Sequence, residues 1–413
     1  MARPSGRPAD WLVRLLRLVS VASVILAWVS DDGYRVFCVR EHSLANSALL
    51  ISGVPLDVPI LTRRGWVMYD QILPGDETPG LNIETDRTEW TGITDINTYD
   101  NEEVVESTSM SWSVCSTPGH RWIRWNHASG TYSKVTTAGT TRGISWQASA
   151  QMAAGPGLDL TENEAELMGW LLTDGSQWEG GAICAFEGCT NPARARGLCG
   201  SHSRQLKRCQ ELHPLRACYP RGAVADFSLF VWQTKPAGVQ RLAEVLGEHG
   251  RWNGKGYRII DSYARDLLRR ARIEHVKSAP QLLEMINEMS AVQREATLRG
   301  VINGDGTRVV GRKSEHIRIY QDDGPLVDVI AILGYFCGYR PSVLKREVEG
   351  FPGYESKGVH LKITLCRPRA SPGRQPMRSL GPMRVWCPTT ELGSWTARFG
   401  KNPVLTAHTD GSG

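Results

Sequence analysis

The chain has 413 residues, with 41% hydrophobic and 22% charged side chains, which excludes a disordered or fibrous protein and allows two or three globular domains. The formal net charge of +5 permits a polyanionic partner but does not demand one. Five of the ten cysteines lie between residues 184 and 218, which favours a local metal site in a reducing compartment over a disulfide framework.

Residues 1–52 differ in character from the rest of the chain, and we interpret them as a fragment of a host protein. The uncharged apolar run from Leu18 to Val29 is too short to cross a bilayer. A buried segment of the host fragment is the favoured interpretation, and the apolar part of a signal peptide is the alternative. Residues 33–41 resemble a strand of phage terminase large subunits, although the chain lacks a glycine-rich loop for ATP.

Short β-rich runs broken by Gly, Asp, Asn and Pro predict an all-β region over residues 53–158. Helical and strand-like stretches then alternate over 159–378, which predicts an α+β domain that contains a cysteine-rich insert at 181–220. Short strands return over 379–408, and we interpret 409–413 as a second host remnant. The predicted fold is therefore an all-β domain that is split in sequence around an α+β domain.

The α+β region contains an internal repeat, since LMGWLLTDG at 167–175 is echoed by LRGVINGDG at 298–306. Residues 161–164 begin with Thr and end with Glu, which predicts a helix start before the first motif. A second echo relates 230–233 to 318–321, and an apolar helical stretch follows each. A repeated α/β unit of this size indicates a pseudo-dimer.

Each motif is an apolar helix that carries a glycine, Gly169 or Gly300, and ends in Asp-Gly. The glycines allow two such helices to pack closely, which would bring Asp174 and Asp305 together at the helix C-termini. Two adjacent carboxylates repel each other, and a divalent cation relieves that repulsion. Hard oxygen ligands suit Mg²⁺, which in such a site activates water for phosphodiester cleavage. One such motif is an ordinary helix end, whereas two in one chain are specific.

The paired motifs resemble those of two-motif LAGLIDADG (DOD-type) homing endonucleases over about residues 160–375. The resemblance implies two αββαββα halves around a pseudo-two-fold axis, a monomer with no stable protein partner, and Asp174 and Asp305 as catalytic residues that bind Mg²⁺. It also implies β-ribbons that read double-stranded DNA in the major groove. Lys362 would supply the basic residue near the metals, with Lys255 as its counterpart. The candidate DNA contacts, whose ordinary alternative is a surface or packing role, are Gln233, Gln321, Arg308, Arg312, Lys313, Arg318 and Lys362.

The cysteine-rich insert has four residues with the type and spacing of zinc ligands: Cys184, Cys189, Cys199 and His202. The basic run 203–208 follows them, and the segment resembles small zinc-binding inserts of phage nucleases. We expect structural Zn²⁺ that supports a DNA-contacting insertion, in preference to free thiols. Three neighbouring residues are interpreted as bystanders: Cys209, His213 and Cys218.

The all-β region resembles the splicing (Hint) domain of inteins, beginning with GVPLDVPILT at Gly53. Thr117 and His120, in TPGH, occupy the block whose Thr and His strain and polarise the first scissile peptide in that family. VWCPTT and PVLT resemble the two C-terminal blocks. Most inteins begin with Cys or Ser, so Gly53 leaves this chain without the usual first nucleophile.

Three residues match a minority intein class that lacks the first nucleophile: Cys387, Trp122 and Thr406. In that class an internal Cys attacks the upstream junction directly. The resemblance therefore implies Cys387 as the nucleophile at the Ser52–Gly53 bond, with acid–base help from His120. The acyl group would then pass to Thr409. Singly, a buried Cys or Trp is usually a packing residue, but three matches together favour function.

The last residue of an intein should be Asn, whose side-chain amide releases the downstream segment, but Ala407 and His408 stand there. We therefore expect full splicing to be blocked, with upstream cleavage or a stalled branched ester in its place. The sequence favours a DNA endonuclease on a splicing scaffold, in the cytoplasm of a bacterial or phage-infected cell and away from membranes. The alternative is a self-processing Hint protein whose decayed nuclease only binds DNA.

Overall fold

The computed structural model describes two short N-terminal segments and most of the chain from residue 51 onward. Within those parts, no helix is both long and apolar enough to cross a membrane. Strands β1 (Val24–Ser30) and β2 (Gly33–Val39) form an antiparallel hairpin that contains the second half of the apolar run. The described residues are 24–30, 33–39, 51–109, 112–126, 128–140, 145–179, 184–189, 191, 193, 197–208, 211–215, 227–310, 315–347, 359–370 and 377–408.

Among the described residues, the first part of the β domain contains nine strands, most of them short because polar and glycine-rich turns interrupt them. They are β3 (Val54–Pro55), β4 (Ile60–Thr62), β5 (Gly65–Val67), β6 (Glu77–Asn82), β7 (Arg87–Ser109), β8 (Trp112–Ser116), β9 (Arg121–Asn126), β10 (Thr131–Thr136) and β11 (Trp146–Gln147). A short 3-10 turn, Tyr69–Gln71, lies between β5 and β6.

A first α+β unit comes next, and its elements are α1 (Glu162–Asp174), β12 (Gly175–Glu179), α2 (Gly200–Lys207), β13 (Phe227–Trp232), α3 (Pro236–Leu246), β14 (Gly250–Trp252), β15 (Gly256–Ile259), α4 (Asp261–Arg270) and α5 (Ala279–Glu288). Helix α1 starts where the sequence predicts, because the Thr161 side chain accepts a hydrogen bond from the Glu164 N–H. The four strands form an antiparallel sheet in the order β12-β13-β15-β14.

The second α+β unit contains α6 (Ala291–Asp305), β16 (Gly306–Val310), β17 (Glu315–Asp322), α7 (Pro325–Phe336), β18 (Arg340–Glu347) and β19 (Val359–Cys366). Its sheet has the order β16-β17-β19-β18, which repeats the first sheet position by position. Helix α4 comes directly after the first sheet. After β19, however, the next element among the described residues is a strand, so the expected third helix of the second half is not found there.

Four C-terminal strands complete the β domain: β20 (Arg369–Ala370), β21 (Arg378–Thr390), β22 (Ser394–Phe399) and β23 (Asn402–Ala407). One sheet has the order β10-β9-β23-β22-β4-β5, and in the other β21 lies between β3 and β7. Each of these sheets therefore contains strands from both parts of the β domain. Strand β20 pairs with β11 of the β domain, although its residues fall inside the range predicted for the α+β domain.

Helices α1 and α6 pack with their backbones in direct contact. An added Cβ at Gly169 would lie 2.0 Å from the Thr297 carbonyl oxygen, and one at Gly300 would lie 2.1 Å from the Glu166 carbonyl oxygen. Real side chains never approach a backbone so closely, so only glycine permits this crossing. The crossing fixes the two helix ends side by side and thereby positions the first candidate site.

Candidate functional site

The first candidate site contains the two aspartates and two glutamines that the repeats predict. Asp174 and Asp305 are the last residues of α1 and α6, and both are half-buried. The Gln233 Nε2 group donates a hydrogen bond to Asp174 Oδ2 at 3.2 Å, and Gln321 Nε2 donates to Asp305 Oδ2 in the same way. The two units therefore present the same carboxylate–amide pair to a common place.

The carboxyl groups of this aspartate pair are harder to ionise than exposed ones. Burial raises the pKa of Asp174 to about 6, and the charge of Asp305 adds to the rise. Burial also raises the pKa of Asp305, against the attraction of Lys235 and Lys277. Two carboxyl groups placed in this way could hold a cation that neutralises both charges. Its oxygen donors fit a hard divalent ion such as Mg²⁺.

Two lysines that the sequence did not indicate lie beside the aspartates. The Lys277 ammonium donates to the Leu172 and Thr173 carbonyl oxygens at the end of α1, each at 2.7 Å. The Lys235 ammonium donates to the Gly304 carbonyl oxygen at the end of α6, at 3.1 Å. Each cation meets the negative end of a helix dipole. No local pattern links these lysines to the aspartates, because they are distant in sequence.

The strand register separates the predicted DNA contacts. In the pairing of β17 with β19, Lys362 lies opposite Tyr320, which is two residues after Arg318. Side chains that are opposite each other or two residues apart point to the same side of a sheet. Lys362 and Arg318 therefore share the sheet face that is turned away from the buried core. Arg308 is paired with the buried Ile317 and belongs to the other face. Three predicted residues lie outside the described residues: Arg312, Lys313 and Thr409.

A cluster of four buried side chains in the insert could hold a metal ion: Cys184, Cys189, Cys199 and His202. Their ligand atoms all lie within 4.8 Å of one another. His202 Nε2 lies 2.8 Å from the His213 carbonyl oxygen, so Nε2 carries the proton and Nδ1 faces the thiols. The backbone of His213 therefore supports the cluster, whereas Cys209 and Cys218 lie outside the described residues.

The second candidate site surrounds the Ser52–Gly53 bond in the β domain. Thr117 Oγ1 accepts a hydrogen bond from the Gly53 N–H at 3.2 Å and donates one to the Ile51 carbonyl oxygen at 2.6 Å. The Gly53 carbonyl oxygen accepts from the Thr117 N–H at 2.9 Å. Thr117 therefore holds the backbone on both sides of this bond.

His120 lies beside the same bond and is completely buried. Its Nδ1 is 3.0 Å from Ser52 Oγ, and its Nε2 is hydrogen-bonded to Thr406 Oγ1. The imidazole is edge-on to the Trp122 ring, with centroids 4.9 Å apart. Burial lowers the pKa of His120 to about 3, so the ring is neutral at physiological pH.

Cys387 is buried on β21 close to Ser52. Burial raises the pKa of its thiol to about 12, and a hydrogen bond with the Ser52 side chain acts against that rise. An added Cβ at Gly53 would lie 2.7 Å from Val385 Cγ2, so a nucleophilic side chain at position 53 requires Val385 to shift. Cys387 thus lies beside Ser52, and Trp122 and Thr406 contact His120.

The C-terminal end of the β domain is also buried. The His408 ring accepts a hydrogen bond at Nε2 from the Thr390 N–H, at 3.2 Å. The Lys134 ammonium donates to the His408 carbonyl oxygen at 3.3 Å. An imidazole held in this way has no amide that can attack its own carbonyl.

No protein-family model and no curated protein matches this chain. The aspartate pair, the metal cluster and the junction site are therefore interpreted from their own geometry. That geometry consists of a carboxylate pair, a thiol–hydroxyl–imidazole group and a set of sulfur and nitrogen ligands.

Proposed function

We propose that this chain is an intein whose β domain carries an inserted LAGLIDADG-type homing endonuclease, and that its main reaction is cutting double-stranded DNA. One observation carries the proposal: α1 and α6 deliver Asp174 and Asp305 to the same place from two units of equal strand order. An accidental helix end does not recur with the same glycine crossing and the same glutamine contact. Both half-sites then belong to one chain, so a monomer suffices.

In the proposed nuclease reaction, Asp174 and Asp305 would hold Mg²⁺, which would supply an activated water and stabilise the leaving oxygen. Gln233 and Gln321 orient the carboxylates through their hydrogen bonds. Lys235 and Lys277 add positive charge beside the phosphate as negative charge develops. The sheet face of Arg318 and Lys362 contacts the DNA.

We propose Zn²⁺ as the metal of the four-residue cluster, because three thiols and one imidazole at this spacing are typical zinc ligands. Trp178 Nε1 donates to the Ala193 carbonyl oxygen at 3.1 Å and ties the insert to β12. Arg204 and Lys207 of α2 then carry positive charge for the DNA backbone. A reducing compartment such as the cytoplasm keeps the thiols available for the metal.

The β domain, in this proposal, cleaves or transfers its own upstream segment. Cys387 attacks the Ser52 carbonyl carbon, a thioester forms, and the bond from that carbon to the Gly53 nitrogen breaks. The acyl group can pass on to Thr409. Because His408 replaces the terminal Asn, the downstream segment is not released, and upstream cleavage or a branched ester is the expected product.

Incubation of the intact chain with a randomised duplex library tests the nuclease, with Mg²⁺ or EDTA. Site-specific double-strand cuts are expected with Mg²⁺ only, and they should disappear in Asp174→Asn and Asp305→Asn. Asp70→Asn is the matched control, since Asp70 is an exposed carboxylate in the β domain. Binding without cutting by the intact chain would contradict the nuclease and support a decayed, DNA-binding domain.

A further inference from the structure

We propose that the Ser52 hydroxyl relays the proton from the Cys387 thiol to His120 when Cys387 attacks the upstream junction. The proposal rests on the self-processing part of the proposed function. It assigns a chemical role to a residue of the segment that is cut off. Ser52 would be a catalytic residue contributed by the substrate itself.

The hydrogen bonds of His120 determine which ring nitrogen is free to accept a proton. The relay uses the tautomer in which Thr406 Oγ1 donates to the Arg121 carbonyl oxygen, at 3.4 Å, and accepts from His120 Nε2–H. Nδ1 is then unprotonated, and Ser52 Oγ, 3.0 Å away, donates to it. The hydroxyl therefore points its proton at the base and offers its lone pairs to another donor.

The Cys387 thiol is the proton donor to this hydroxyl in the proposed relay. Cys387 and Ser52 are both buried, and the Ser52 side chain acts on the thiol against the effect of burial on its pKa. At rest the thiol donates to the Pro388 carbonyl oxygen, at 3.6 Å, which is not a base, so in the relay it turns to donate to Ser52 Oγ. Tyr99 is the titratable side chain whose pKa responds to charge on Cys387, and burial raises the pKa of Tyr99 above its ordinary value. Burial lowers the pKa of His120, and no charged neighbour among the described residues contributes to that shift.

The relay conserves both atoms and charge. As the bond from Cys387 Sγ to the Ser52 carbonyl carbon forms, the thiol proton moves to Ser52 Oγ and the Ser52 hydroxyl proton moves to His120 Nδ1. The imidazolium then returns one proton to the departing Gly53 nitrogen as the peptide bond breaks. An amide and a thiol become a thioester and an amine, and His120 ends neutral.

The test measures cleavage at Ser52–Gly53 in the full chain by mass spectrometry, with hydroxylamine to trap the thioester. We expect Ser52→Ala to react about 100-fold more slowly, as for loss of a general base. Its rate should rise about tenfold per pH unit between pH 7 and 9, because hydroxide must then remove the thiol proton, whereas the intact chain should be nearly independent of pH. Ser52→Thr, which keeps a hydroxyl, should restore most of the rate.

The control is Ser149→Ala, which removes a buried hydroxyl bonded to the Gly338 carbonyl oxygen, outside the site. Near-ultraviolet circular dichroism of the buried tryptophans verifies that each variant is folded. An unchanged rate and pH profile in Ser52→Ala would overturn the relay alone. Absence of cleavage in the intact chain, or its persistence in Cys387→Ala, would overturn the self-processing function and the relay together.

Discussion

The two candidate sites differ in how they meet their substrates. Asp174 and Asp305 are half-buried at two helix ends, where a molecule from outside can reach them. His120 and Cys387 are buried, and the peptide bond beside them belongs to the same chain. A substrate that is already covalently attached needs no opening to solvent, because its position is fixed by folding. A nuclease must leave room for its substrate to enter.

The two sites also differ in the charge of their side chains. At the aspartate pair, two lysines lie beside two carboxyls, which suits a negatively charged substrate and a bridging cation. At the junction, burial lowers the pKa of His120 to about 3 and raises the pKa of Cys387 to about 12, so both groups are neutral at rest. A substitution that abolishes the reaction at one site should therefore leave the reaction at the other site intact.

The largest expected effect is that a substitution at each site abolishes the reaction of that site alone. Asp174→Asn should lower duplex cleavage by about 10⁴-fold, since single catalytic residues contribute effects of that size, and should leave cleavage at Ser52–Gly53 unchanged. Cys387→Ala should do the reverse. Gel assays of DNA cutting and mass spectrometry of the protein measure both reactions in one preparation.

Matched controls for this crossed experiment are Asp70→Asn and Cys366→Ala. Asp70 is exposed in the β domain, and Cys366 lies on β19 with its thiol directed to the Thr364 carbonyl oxygen. Both reactions should persist in each control. If either active-site variant lost both reactions while remaining folded, the two sites would not be independent.

A second substitution distinguishes the two sites by disturbing the packing of α1 against α6. Gly169→Ala places a Cβ 2.0 Å from the Thr297 carbonyl oxygen, so α1 and α6 must move apart. We expect a loss of about 3 kcal/mol in the free energy of unfolding, at the upper end for overpacking, together with loss of DNA cutting. Denaturant unfolding measures the first effect and the duplex assay the second.

Gly92→Ala is the control for that change, since its added Cβ would lie 3.6 Å from the Glu391 side chain, an ordinary contact. Its stability should stay within about 0.5 kcal/mol of the intact chain. Equal stability of the Gly169 and Gly92 variants would show that α1 and α6 do not pack backbone against backbone.

Sequence reasoning succeeded where the chemistry is local. The capping residues Thr161 and Glu164 predict the start of α1, and the spacing of the cysteines predicts a cluster that could hold a metal ion. These signals work because a helix end or a metal loop is determined by residues a few positions apart. The repeated motifs also predicted which two carboxyls meet.

The sequence could not predict groups that reach a site from distant elements. The sequence analysis named Lys362 and Lys255 as basic residues near the metals and did not name Lys235 and Lys277, whose ammonium groups bond to carbonyl oxygens at the helix ends. Ser52 was interpreted only as the residue before the junction, since its contact with His120 spans 68 positions. Such contacts depend on how strands and helices pack, which no local pattern records.

The metal cluster gives a smaller and more local effect. His202→Ala should weaken metal binding by about 100-fold or more, because it removes one of four ligands. His213→Ala is the matched control: His213 bonds to His202 through its backbone carbonyl, which the substitution keeps, so that variant should keep its metal. Metal content by mass spectrometry of purified protein measures both. Cleavage at Ser52–Gly53 should be unaffected, and equal metal in the two variants would contradict the ligand assignment.

The smallest expected effect is a pH-dependent gain in stability on removing one charge of the aspartate pair. Burial raises the pKa of Asp174 to about 6 in the folded chain, so between pH 4 and 6 the folded state binds a proton that the unfolded state has released. The stability contributed by this group is therefore lost as pH rises through 6. Asp174→Asn should unfold about 2 °C higher than the intact chain at pH 8 in EDTA, corresponding to about 1 kcal/mol after solvent screening, and the difference should vanish near pH 4. Thermal unfolding across this range measures it, with Asp70→Asn as control. A constant difference at all pH values would mean that the Asp174 carboxyl ionises normally, and the contrast between the two sites would then lose its electrostatic basis.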